Sequence, residues 1–162
     1  MKTLIMILGL LGASTESPVP DGTSLIIKQV YNKVYDERES KLWQLLKKNT
    51  PRISWTRLES WSSFGTPDCL GYNDSCGFFM CELKIAHGKK ISFSPHQKLF
   101  HITRSKRNFI LVQQAAKGSP PSVKLYGSSS IHGLLADHRE TPALAVDDWN
   151  HIQRIFLGLR PN

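Results

Sequence analysis

Phe78-Phe79-Met80-Cys81-Glu82-Leu83-Lys84 is the stretch on which the reading of this chain turns. It is apolar until its last three residues, which suits a strand inside a sheet. Side chains alternate between the faces of a strand. Glu82 and Lys84 therefore share one face, while Cys81 and Leu83 point into apolar packing on the other. Just upstream, Asn73-Asp74-Ser75 is turn chemistry between two short strands, residues 68–72 and 77–84. A hairpin there carries Asp68 toward the face of Glu82. Two carboxylates meeting from adjacent strands suit a hard cation such as Mg2+, which takes oxygen ligands. Such an ion lowers the pKa of bound water and offsets charge on a phosphate, and Lys84 would hold the water or face the phosphate. The plain alternative is a same-face Glu82–Lys84 ion pair, with Asp68 in an unrelated turn.

The elements on either side extend the pattern. In residues 25–48, Val30, Val34, Leu42, Leu45 and Leu46 recur near helical spacing with charges between them, and Pro51 stops the helix. Residues 53–58 read as a strand. Ser94-Pro95 is a helix start, with Ser as N-cap and Pro at the first helical position, and that helix is expected to reach residue 103. Residues 108–115 and 122–126 read as strands, the first strongly apolar. Residues 127–142 are expected to be irregular. Asp147 is expected to cap a final helix whose Trp149, Ile152, Phe156 and Leu159 form one apolar face. The predicted order is α-β-β-β-α-β-β-α, an α/β (α+β) fold with a central mixed sheet flanked by helices.

The 162 residues suit one domain, taken as 25–162, after an N-terminal segment, 1–24, of an apolar run and a linker. Lys and Arg number 21 against 13 acids, so the formal charge is +8 and favours a polyanionic partner, nucleic acid first and an acidic membrane surface second. The three cysteines, Cys69, Cys76 and Cys81, are an odd number without finger-like spacing to histidine. That argues against a disulfide framework or a structural zinc site and for a reducing, cytoplasmic setting. Residues 3–13, ending in small residues, have the look of a short signal peptide, which would mean secretion; otherwise they are an apolar arm. The run is too short to span a bilayer, and no other stretch is suited to do so.

In order along the chain stand Gly65-Thr66-Pro67-Asp68, the hairpin, Glu82-Leu83-Lys84, and Gly88-Lys89-Lys90 leading into Ser94-Pro95-His96-Gln97. This ordered set resembles the PD-(D/E)XK nuclease superfamily, most of all the phage-type VRR-Nuc and Holliday-junction-resolvase-like members. The resemblance runs from about Glu39 to Tyr126, and its specificity lies in the set rather than in any one motif. It implies a restriction-endonuclease-like core and Mg2+- or Mn2+-dependent hydrolysis of DNA, in a resolvase-like case branched DNA cut by a homodimer. It implies that Asp68 and Glu82 are metal ligands with the Leu83 carbonyl as a third, that Lys84 is the catalytic lysine, and that Gln97 orients the site or contacts phosphate. An acid on the first helix belongs to the pattern, and Glu39 fits it best, with Glu37 a rival and Glu59 another candidate.

Lys89, Lys90, Arg104, Lys106 and Arg107 would ring the site and bind phosphates, or else form a solvated face. His87 and His96 read as surface histidines. Trp43, Trp55 and Trp149 read as core, and Trp61, in a polar loop, as a candidate stacking platform. Two other readings stand beside the nuclease: a secreted lipocalin-like binding protein, which the helix at Ser94 disfavours, and a basic nucleic-acid-binding module without catalysis, which Asp68, Glu82 and Lys84 disfavour.

Overall fold

The computed structural model describes residues 21–58, 65–89, 91–114 and 120–159. The chain divides into two compact units, Met1–Val34 and Tyr35–Asn162, and every strand belongs to the second. Glu59, Trp61, Lys90 and the apolar run at residues 3–13 lie outside the described residues.

Helix α1 (Asp21–Asn49) ends with Lys47 and Lys48, cations at the negative end of its dipole. The Thr50 amide and hydroxyl then both donate to the Leu46 carbonyl, closing the helix before Pro51. Strands β1 (Ser54–Arg57), β2 (Cys69–Asn73) and β3 (Gly77–Ala86) form an antiparallel meander. The β2–β3 turn is held by Asn73, whose side-chain oxygen accepts from the Ser75 and Cys76 amides at 3.1 and 3.0 Å. A Cβ at Gly71 would collide with the Phe79 ring, so only glycine lets that ring lie across β2.

Helix α2 (Pro95–Thr103) crosses over to β4 (Asn108–Gln114), which pairs parallel with β3, as such a connection requires. Strand β5 (Ser122–Gly127) is antiparallel to β4, and the short β6 (Ala145–Val146) completes a sheet of order β1-β2-β3-β4-β5-β6. The result is an α+β protein with a six-stranded mixed sheet flanked by helices. An open mixed sheet of this kind is not the barrel a lipocalin requires.

One face of the sheet packs against Leu42, Trp43 and Leu46 of α1 and against Ile152 and Phe156 of the last helix (Trp149–Phe156), over a layer that includes Phe79, Cys81, Leu83 and Leu111. Phe93, Ile131 and Leu134 cover Ile110, Val112 and Tyr126 on the other. No helix among the described residues is long and apolar enough to cross a membrane.

Three expectations are corrected. Residues 127–142 are not irregular: a 3-10 turn (Ser128–Ser130) leads into α3 (Ile131–Asp137), and β6 follows, adding a helix and a strand to the expected order. Ile131 and Leu134 are held by burial and His138 by its bond to the Gly88 carbonyl, none of which local periodicity reveals. The cap of the last helix, α4 (Trp149–Phe156), is Asp148, whose carboxylate accepts from the His151 amide at 2.9 Å. Asp147 instead accepts from the Val123 amide and the Ser122 hydroxyl, tying β5 to the segment before α4. Leu159 falls beyond α4 and is exposed.

Candidate functional site

On β3 the alternation holds. Phe79, Cys81 and Leu83 are buried in the core, while Glu82 and Lys84 point to the opposite face. Glu82 is wholly buried, and Lys84 Nζ pairs with its Oε1 at 2.8 Å. The lysine lies over the Phe93 ring, 5.1 Å from its centre, and its side chain keeps 16 % exposure. The charged end is therefore held at the boundary between core and solvent.

Asp68 stands immediately before β2, where Cys69 pairs with Cys81. Its Oδ2 accepts from the Leu83 amide at 2.7 Å, which fixes the carboxylate beside the strand that carries Glu82. Leu83 thus enters the site through its backbone while its side chain fills the core. Upstream, Gly65 has φ +87°, and a Cβ there would fall 2.5 Å from the His96 carbonyl carbon. Glycine lets the loop to Asp68 pass directly against the start of α2.

Helix α2 supplies the third part. Ser94 caps it and Gln97 is the reciprocal partner of a capping box: the Gln97 amide donates to Ser94 Oγ, and Gln97 Oε1 accepts from the Ser94 amide. The same Oε1 accepts from Lys84 Nζ at 3.1 Å, and Gln97 Nε2 donates to Glu82 Oε1. One side chain therefore begins the helix and joins both charged residues of β3.

The electrostatics are those of two acids in a dry place. Burial first and the Asp68 charge second push the Glu82 carboxyl up to about 8, against the opposing Lys84. Asp68 is raised as well, again chiefly by burial, against the Leu83 amide and the Lys84 charge. Glu82 Oε2 is buried with no hydrogen-bond partner among the described residues. Such an oxygen is costly without a donor or a cation. Among the described residues no three His, Cys, Asp or Glu side chains form a metal-holding group, so the oxygen donors offered are the two carboxylates and nearby carbonyls.

The remaining expected residues surround this centre at varying distance. Glu39 on α1 is ion-paired with Arg57 of β1 at 3.2 Å and its charge also acts on Glu82, while Glu37 is exposed. Lys89 follows the end of β3, whereas Arg104, Lys106 and Arg107 lie in the turn before β4, near the beginning of β3, since Asn108 pairs with Met80. These four are exposed, and they flank β3 at its two ends. His87 and His96 are exposed, and Trp43, Trp55 and Trp149 belong to the core or pack against it.

Two further residues join the site without any motif to mark them. Arg57 is the partner of Glu39, and its charge also acts on Asp68. His101 lies one turn after Gln97 on α2, fully buried, with Nδ1 2.6 Å from Ser128 Oγ and Nε2 without a partner among the described residues. Burial, then the Lys84 charge, pushes its pKa down to about 4, so a neutral imidazole backs the site. Its position four residues after Gln97, on the same helix face, is the one signal the sequence holds for it.

No family model, no curated protein and no solved structure matches the chain.

Proposed function

We propose that this chain is a metal-dependent nuclease of the PD-(D/E)XK type, hydrolysing phosphodiester bonds in DNA with Asp68, Glu82, Lys84 and Gln97 as its working residues. The observation that carries the reading is their meeting on β3 around a buried carboxylate oxygen that no described donor satisfies. The α-β-β-β-α-β succession from α1 to β4, with β3 and β4 parallel, supports a restriction-endonuclease-like core. The net charge of +8 supports a polyanionic substrate.

The residues fit a hard divalent cation. Mg2+ and Mn2+ take carboxylate and carbonyl oxygens and keep several waters, so two protein carboxylates suffice. Asp68 and Glu82 would hold the ion, with the Leu83 carbonyl as a further donor; when bound, it would acidify water and offset phosphate charge. Lys84 orients the attacking water or a phosphate oxygen from the rim of the site. Gln97 holds Lys84 and Glu82 at fixed separation, so their geometry is set by folding rather than at substrate binding. In the reaction, water adds to phosphorus and one P–O ester bond breaks, leaving a phosphate monoester and a hydroxyl.

The purified protein, given Mg2+ or Mn2+, should cut linear, nicked, flapped or four-way DNA. Glu82→Ala and Asp68→Ala should abolish cutting, and the ions should raise the Tm of the wild type but not of Glu82→Ala. Absence of metal-dependent cleavage on every substrate would overturn the activity. Undiminished cutting by Glu82→Ala would overturn the site.

A further inference from the structure

The face of the sheet that carries Glu82 and Lys84 continues along β3 to Met80 and Phe78, by the same alternation. On β2, Leu70 pairs with Met80 and Tyr72 pairs with Phe78, so these side chains share that face. Phe78 is 63 % exposed and Tyr72 is 37 % exposed, and their ring centres are 4.8 Å apart. Two adjacent, partly exposed rings on the face that carries the site offer a flat surface on which a base can stack. The Tyr72 hydroxyl donates to Asp74 at 3.1 Å, which holds its ring in place.

We propose that Tyr72 and Phe78 form a stacking platform for unpaired bases, and that the substrate of the Asp68–Glu82–Lys84 site is nucleic acid with a single-stranded segment. This rests on the nuclease reading of that site. Phe78 lies four steps along the strand from Glu82, about 13 Å at the usual rise, so a strand cut at Glu82 would lay bases a few nucleotides away over the rings. Single-strand binders combine exposed aromatic rings with a positive track for the backbone. Here the turn holding Arg104 and Lys106 lies against the same end of β3, because the Met80 amide donates to the Arg107 carbonyl at 3.2 Å. The Asp74 carboxylate repels phosphate on the hairpin side, which leaves the backbone that basic turn and the rings the bases. Duplex DNA, its bases already stacked on each other, makes no such use of the pair.

The test is binding in EDTA, where no cutting occurs, read by fluorescence anisotropy. The probes are a labelled single-stranded oligonucleotide, the same strand with abasic sites, and the duplex. The wild type should prefer the base-bearing strand over the abasic one by about tenfold or more. Phe78→Ala and Tyr72→Leu, checked for an intact fold by circular dichroism, should erase that preference. Equal affinity for the abasic strand overturns the platform, even if the protein cuts duplex with Mg2+. A base preference without any metal-dependent cutting keeps the platform and removes the nuclease. If Phe78→Ala instead turns a dimer into a monomer in sedimentation and leaves the base preference intact, the rings belong to a second copy of the chain and the platform falls.

Discussion

The Leu83 amide donates to the Asp68 carboxylate at 2.7 Å, so a residue outside β2 is fastened to the strand that carries Glu82. Removing Asp68 thus has a structural cost distinct from any loss of activity. Asp68→Asn keeps an acceptor for the Leu83 amide and should stay near wild-type stability in urea denaturation. Asp68→Ala leaves that amide unpaired and should lose roughly 1–3 kcal/mol. Both should lose cleavage. Equal stability of the two variants would show that the bond contributes nothing.

Glu82 has its folded-state pKa raised from 4.5 to about 8, chiefly by burial. A raised value means that the folded state binds more protons, so this contribution is fully present below pH 4.5 and is lost as pH rises through 8. Glu82→Gln carries no such penalty. In EDTA its Tm minus that of the wild type should grow between about pH 5 and pH 8 and level off above, and a difference flat with pH would refute the buried-acid account.

Gln97 has two jobs that can be separated. Ser94→Ala removes the helix cap and should cost about 1 kcal/mol while retaining most of the cleavage rate. Gln97→Ala should cost a similar amount but slow cleavage by roughly 10²-fold, because Lys84 and Glu82 lose the group that aligns them. Matching rates for the two variants would reduce Gln97 to a capping residue.

His101 is pushed down from 6.5 to about 4 by burial first and the Lys84 charge second. A depressed value contributes stability above pH 6.5 that is lost as pH falls toward 4, because the unfolded chain takes up the proton sooner. His101→Leu removes this titration. Its stability relative to the wild type should improve as the pH is lowered from about 6.5 to about 4.5 in urea denaturation. A constant difference would mean that the imidazole does not stay neutral.

What could be read in the sequence was what rests on local chemistry. Ser94-Pro95 specified the start of α2 through cap and ring geometry, and Asn73 specified the hairpin through an Asx turn. The alternation of β3 placed Glu82 and Lys84 together. What could not be read rests on distant partners. Ser128 to Asp137 has no usable period, and it is ordered by Ile131 and Leu134 sinking between other elements. Asp147 and Asp148 are equally good caps by type; the choice is made by Val123 and Ser122, which occupy Asp147. Likewise Glu39 was named from its place on the first helix, but its partner Arg57, on a strand beyond Pro51, and the reach of its charge to Glu82 were not legible. The double bonding of Gln97, by contrast, was only half visible: its place in the capping box was local, its grip on Glu82 was not.

Asp68, Glu82, Lys84 and Gln97 all lie on one unbroken stretch of chain that ends within α2, whereas β4, the strand that seals β3, comes later. During synthesis the whole site therefore emerges while one side of β3 still has open amide and carbonyl groups, a template for pairing with another chain. The crossover through α2 shortens that interval by delivering β4 directly alongside. A chain halted after Thr103 would carry every working residue and still expose this edge. It should aggregate rather than act, which makes β4 a guardian of the nascent protein as much as a part of its sheet.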